Sequence, residues 1–310
     1  MEQKSTRDAY GDTLLALGSN KDIVALDADL SISTKTSLFA KKYSDRFIDV
    51  GCAEQNLIGV AAGLAVSKKT VFASTYAIFI TRAFEQVRNT VAHDSLPVKI
   101  VVTHAGLTNA SDGSSHQTVE DIALMRALPN MRVIIPADAP EAVLAIRDEA
   151  ERPGPAYIRL NRAESPVFHD AGYAYDGDKA DILRDGSDIA IFATGTMVAP
   201  ALEAAAGLAK HSIDACVVNV HTIKPLDTET VGKVAARCGA ALTIEEHSVI
   251  GGLGSAVAEC TGQHTPVPLK ILGINDTFGQ SGDYRELLEH YGLTHKAIGS
   301  AAQALMKVRR

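Results

Sequence analysis

Glu54 stands in "FIDVGCAEQN", after an apolar run that reaches Val50 and just before the apolar stretch "LIGVAAGLAV". Strand, tight turn at Gly51 and buried helix follow from that order, and they set the carboxylate at a helix N-terminus. An acid there either caps the free N–H groups of the first turn or is held for proton chemistry. The loop "THAGLTNASDGSSHQTVED", Thr103 to Asp121, gathers His104, Asp112 and His116 among small residues. It follows the strand-like "VKIVV" and precedes the helix-like "VEDIALMRAL", so it lies at the carboxyl end of a parallel strand, where open α/β sheets bind ligands. A loop of about 15 residues is long for mere connection. No second group of His, Cys or carboxylates at ligand spacing accompanies it, so no residue is assigned to a metal.

Other residues gather at similar positions. Arg159 and Arg162 in "YIRLNR" close a strand, and two planar guanidinium forks there suit either a phosphate or carboxylate or a surface ion pair. "TYAIFITRAFEQVRN" brings Tyr76, Phe79 and Phe84 near a helix start, in a chain with only 5% aromatics, so core packing competes with ligand stacking as their purpose. Arg82 lies in the same stretch. "EEHSVIGGLGSAVAE" invites a dinucleotide reading, but after Gly252 and Gly254 the third glycine position holds Val257. Close packing of backbone is the plainer reason for those glycines.

The elements that must position these groups alternate between strand-like and helical. "DIVALDADL" (22–30), "FIDVG" (47–51), "TVFAST" (70–75), "VKIVVTH" (98–104), "RVIIPAD" (132–138) and "AYIRL" (156–160) read as strands of one α/β domain. The polar, glycine-containing segment 167–186 reads as a linker, which sets a first domain at 1–166 and a second at 187–310. In the second, 188–195, 214–221, 241–247 and 269–274 read as strands. Two consecutive parallel-sheet α/β domains are therefore expected, and 310 residues suit two at roughly 100–200 each. With 46% apolar and 22% charged residues and a net charge of −7, the composition is that of a globular protein without general attraction to nucleic acid or anionic membrane. No apolar run approaches the roughly 18 residues of a membrane span, and no basic, apolar leader opens the chain, so a cytoplasmic location is expected. Cys52, Cys216, Cys238 and Cys260 form no CxxC pair and read as small core residues in a reducing compartment.

Taken in order, "DADLSIS", "GCAEQN", "TYAIFITRAFEQVRN", "THAGLTNASDGSSHQTVED", "RALPNMRVIIPAD", "GPAYIRLNR", "TIEEHSVIGGLGSAVAE" and "FGQSGDYRELLEHYGLT" resemble the C-terminal half of transketolase over nearly the whole chain. The resemblance implies a pyrimidine-binding domain of a thiamine diphosphate enzyme followed by a transketolase C-terminal domain. It implies that Glu54 hydrogen-bonds N1′ of the cofactor's aminopyrimidine, favouring the imino tautomer that takes the thiazolium C2 proton. Phe79 and Tyr76 would stack on or border the pyrimidine, with Asp29 and Arg82 beside the cofactor. His104 and Asp112 would meet sugar hydroxyls, as would Ser33, while His116 and Arg162 would approach the substrate phosphate. His104 and His116 join Glu54 as the implied catalytic set. Arg82 is similar to 1-deoxy-D-xylulose-5-phosphate synthase rather than transketolase, and Arg159 likewise, which leaves its role at the substrate open.

The GDG motif that holds Mg²⁺ and diphosphate in this family occurs nowhere in the sequence. The resemblance therefore implies one subunit of a split transketolase, completed by a separate diphosphate-binding chain in an α2β2 assembly acting on sugar phosphates. A split deoxyxylulose-phosphate synthase, a 2-oxo acid dehydrogenase β-like subunit and a non-catalytic partner subunit are the alternatives.

Overall fold

The computed structural model describes residues 2–308. Among the described residues one sheet of seven strands runs in the spatial order Thr222–Lys224, Arg132–Ile134, Ala156–Arg159, Val98–Thr103, Thr70–Tyr76, Ile23–Asp27, Phe47–Asp49. All neighbours are parallel except the first pair. Alternate residues face opposite sides: Val24 and Leu26 pack under the helix Glu54–Val66, while Ile23 and Ala25 pack under Thr6–Leu17 and Ala139–Glu151. Burial on both sides is why these strands are unbroken apolar runs. From Ile23–Asp27 the chain steps outward to Phe47–Asp49 and then returns to Thr70–Tyr76 on the other side. That reversal opens a crevice between the carboxyl ends of Ile23–Asp27 and Thr70–Tyr76.

A second sheet of five strands runs Leu269–Ile274, Ala241–Ser248, Ile189–Ala193, Ala215–Asn219, Asp181–Arg184, with only the last pair antiparallel. Each expected strand is present. Among the described residues four short strands depart from the sequence reading, and two of them, Gln3–Lys4 and Ser165–Pro166, pair as an antiparallel two-stranded ribbon. Asp181–Arg184 lies inside the segment expected to be linker, and Thr222–Lys224, from the C-terminal half, completes the first sheet. These last two are brief and take edge positions, paired with neighbours distant in sequence: Ala215–Asn219 for the first and Arg132–Ile134, from the other half, for the second. One apolar core runs through both halves, from Leu57 and Val102 to Phe192, Val231 and Leu253. No described helix is long and apolar enough to cross a membrane.

Gly252 and Gly254 sit where a Cβ would strike Glu245 and Ile271, which agrees with close packing. The N–H groups of Leu253 and Gly254 donate to the buried Glu245 carboxylate at 2.7 and 2.8 Å, so this helix start is filled by the chain's own acid. Three cysteines are buried as expected, but Cys52 is exposed because it falls in the turn ahead of Glu54 and not within the helix.

Candidate active site

Two turns shape the crevice. Gly51, at φ +73°, takes the left-handed conformation that a glycine adopts without strain, and it aims the chain into the helix Glu54–Val66. Asp49 Oδ1 accepts from the N–H groups of Gly51 and Asp29 at 3.0 and 2.9 Å, tying neighbouring strand ends together. Asp29 itself is exposed, at φ +64°, with Cys52 Sγ 3.4 Å from its Oδ2. Glu54 is the first residue of its helix and 12% exposed, and Arg82 Nε lies 4.0 Å from its Oε2. Among the described residues no first-turn N–H donates to this carboxylate, so it is not spent on capping its own helix.

At the neighbouring strand ends four rings form a continuous wall. Tyr76, which ends its strand, stacks on Phe79 with centroids 5.3 Å apart and on His104 at 3.8 Å. Phe79 meets His116 edge-on at 5.6 Å. Phe79 opens a 3-10 turn, Phe79–Ala83, that packs on the Glu54 helix and also carries Arg82. His104 is buried at φ +59°, a conformation that costs free energy in a residue with a Cβ and so marks a position the surroundings enforce. Its Nδ1 is 2.8 Å from Thr103 Oγ1. Burial, followed by the positive charges of Arg7 and Arg162, holds its pKa down to about 3, so the ring is a neutral donor and acceptor. Arg162 is exposed and donates to Asn109 Oδ1 at 3.2 Å. Asp112, exposed, and Ser33, half-buried on the short helix Ser31–Thr34, flank the same strand ends.

Arg159 departs from the expectation. Its guanidinium, 3% exposed, is locked to Asp121 at 2.7 Å and donates to the Glu246 carbonyl at 3.1 Å. Tyr157 donates to the same Asp121 oxygen at 2.7 Å. The fork is consumed in the junction between the two sheets and does not reach the crevice. Two other acids escaped the sequence reading. Glu246 accepts from the Leu107 N–H at 2.6 Å, from Thr196 at 2.8 Å and from Tyr284 at 2.7 Å, so the second domain grips the loop just after His104. Burial raises its pKa. Asp27, fully buried, accepts from the Leu30 N–H and from the hydroxyls of Thr34 and Thr36, and burial raises it to about 6. "DADL" marked the place, but not which acid turns inward.

Residues 2–167 match the transketolase pyrimidine binding domain and residues 178–298 the transketolase C-terminal domain. The chain is 46% identical over 309 residues to a putative transketolase C-terminal section of Methanocaldococcus jannaschii, covering 98% of this chain and 97% of that one. It is 44% identical to a 6-deoxy-6-sulfo-D-fructose transketolase subunit of a Clostridium species, with 97% and 94% covered. A structure described as a split gene transketolase, inactive beta4 tetramer, superposes with a TM-score of 0.92 at 48% identity, with 99% of each chain covered.

Proposed function

The chain belongs to the transketolase family, and from that premise we propose that it is the C-terminal subunit of a two-chain transketolase. It would move a two-carbon ketol unit from a ketose phosphate to an aldose phosphate, with thiamine diphosphate shared between this chain and a separate diphosphate-binding subunit that holds Mg²⁺. The observation that carries this reading is an unspent acid and an aromatic wall at neighbouring strand ends: Glu54, whose helix packs on the Phe79–Ala83 turn, and the linked rings of Tyr76, Phe79, His104 and His116. A flat, electron-poor aminopyrimidine fits such a wall. When bound, thiamine diphosphate supplies the nucleophilic carbon and electron sink for cleaving the bond beside a ketose carbonyl.

In this reading the chain's own groups bind, orient and hold protons. Glu54 shares a proton with a pyrimidine ring nitrogen, Tyr76 and Phe79 border the ring, and Asp29 and Arg82 stand at the cofactor's rim. The neutral imidazole of His104 exchanges hydrogen bonds with sugar hydroxyls, joined by Asp112 and Ser33. His116 and Arg162 face the anionic end of the sugar. That end is a phosphate, and the sulfo-sugar named for the Clostridium relative supports testing a sulfonate as well.

The partner is inferred from an uncovered surface. The helix Glu54–Val66 is apolar almost all round, yet Val66 is 70% exposed and Gly59 and Gly63 face open space. Ile48 and Ile32 are exposed nearby. A helix of this kind is normally covered, and the α2β2 assembly covers it next to Glu54. The test is reconstitution with a GDG-bearing chain, thiamine diphosphate and Mg²⁺, followed by ketol transfer from xylulose 5-phosphate to ribose 5-phosphate. Activity in the complex alone, lost in Glu54→Ala, supports the reading. Unchanged turnover in Glu54→Ala refutes it.

A further inference from the structure

Away from the crevice, the segment joining the two domains crosses a buried polar cluster. His169 comes from that segment, Glu141 from the helix Ala139–Glu151 and Asp181 from the start of the edge strand Asp181–Arg184. One ligating atom from each lies within 4.8 Å of the others. His169 Nε2 and Asp181 Oδ2 face each other at 4.0 Å, and both atoms are buried without a hydrogen-bond partner. His169 is 7% exposed and Glu141 fully buried.

The separation is informative. A protonated imidazole in direct contact with a carboxylate closes to about 2.7–2.9 Å, whereas His169 Nε2 and Asp181 Oδ2 stay 4.0 Å apart. A cation between two such atoms would sit about 2.0–2.2 Å from each, and the cluster, whose ligating atoms are spread over as much as 4.8 Å, would draw in slightly to bind it. The other face of the ring is prepared for this. His169 Nδ1 lies 3.0 Å from Asp138 Oδ1, a contact that would keep a proton on Nδ1 and leave Nε2, which faces Asp181, as the ligating atom. Asp138 is itself fixed, accepting from the N–H groups of Glu141, Phe168 and His169.

Charge points the same way. Three carboxylates, of the buried Asp138 and Glu141 and the partly exposed Asp181, surround a single imidazole, an excess of negative charge that a dication relieves. Glu141 Oε1 accepts from Tyr173 and from Asn219 Nδ2, each at 2.8 Å, and its Oε2 accepts from the Ala137 N–H at 2.6 Å, so the carboxylate is held in place and a cation would take a remaining lone pair.

We propose that Glu141, His169 and Asp181 form a divalent-cation site, suited by its one imidazole and two carboxylates to Zn²⁺, which pins the connecting segment to both domains. This site is separate from any cation held with a diphosphate by a partner chain, and it does not depend on ketol transfer.

The test uses the full chain, stripped with chelator and titrated with Zn²⁺ against a chromophoric competitor, with Co²⁺ absorption as the spectroscopic signature. One Zn²⁺ per chain is expected, together with a rise in melting temperature. His169→Ala and Asp181→Asn should each weaken binding at least about tenfold, and Asp138→Asn about 10–100-fold. Asp181 lies on an edge strand with its side chain 36% exposed, so Asp181→Asn keeps the fold measurable even if His169→Ala does not. Absence of stoichiometric Zn²⁺ binding by the unaltered chain overturns the proposal, as does binding of equal strength in Asp181→Asn.

Discussion

The crevice and the domain junction both hold acids near arginines, and they treat them in opposite ways. At the junction Arg159 and Asp121 are 3% and 0% exposed and joined at 2.7 Å, with Tyr157 donating to Asp121 and the Glu246 carbonyl accepting from Arg159. At the crevice Arg82 is 76% exposed and reaches Glu54 only at 4.0 Å. A buried charge must be answered by fixed partners, whereas an acid at an open face can be left for a ligand to answer. The same kinds of residue thus give rigidity in one place and unspent binding capacity in the other. Glu246 links them, since it belongs to the junction yet holds the loop behind His104.

The largest separation should come from exchanging activity against stability. Glu54→Gln should lower turnover of the reconstituted complex about 10²–10⁴-fold, the range for a lost proton-transfer group. The isolated chain's stability in urea should stay within about 0.5 kcal/mol, as for other partly exposed positions. Arg159→Leu should do the reverse in kind, costing about 3–5 kcal/mol because it strands the Asp121 charge in the interior. Pairing it with Asp121→Leu should recover part of that loss. If Glu54→Gln proves the more destabilising of the two in urea, the contrast between the regions is wrong.

This division also explains what could be read from sequence. Glu54, His104, Asp112 and His116 lie in contiguous stretches whose order of strand, turn and helix already fixes them at strand ends. The wall of Tyr76, Phe79, His104 and His116 was visible as two motifs, though not as stacked rings. The role of Arg159 stayed open in the sequence because its partner lies 38 residues earlier in the chain, and nothing local distinguishes a free guanidinium from a committed one. Glu246 and Tyr284 belong to a different domain from the loop they hold, so their purpose exists only after folding. The strands Asp181–Arg184 and Thr222–Lys224 were missed for a related reason: edge pairing depends on a distant neighbour more than on apolar alternation.

A subtler pair of effects separates two buried groups beside the crevice. His104 titrates near 3 in the fold, against about 6.5 when unfolded, so its contribution to stability is complete above pH 6.5 and is lost as pH falls towards 3. Asp27 is raised to about 6, against about 3.9 unfolded, so its contribution is complete below pH 3.9 and is lost as pH rises through 6. Between pH 6 and 4 the two oppose each other, each at no more than about 1.4 kcal/mol per pH unit. Relative to the unaltered chain, His104→Asn should therefore become more stable on acidification and Asp27→Asn less stable. Urea unfolding at pH 4, 5 and 6 reads both slopes, and two variants drifting the same way would show that burial is not what sets these groups.

The smallest expected effect is at Arg82. Its pair with Glu54 is long and largely solvated, and such pairs contribute about 0–1 kcal/mol. Arg82→Ala should leave the urea midpoint of the isolated chain within that range and insensitive to salt. The informative reading is in the complex, where a partner and cofactor would exclude water from the same guanidinium and strengthen every charge interaction it makes. There Arg82→Ala should raise the concentration of thiamine diphosphate needed for half-activity more than it lowers the maximal rate. A large stability loss in the isolated chain would mean instead that Glu54 and Arg82 already behave as a buried pair, and that the crevice is less open than the junction comparison requires.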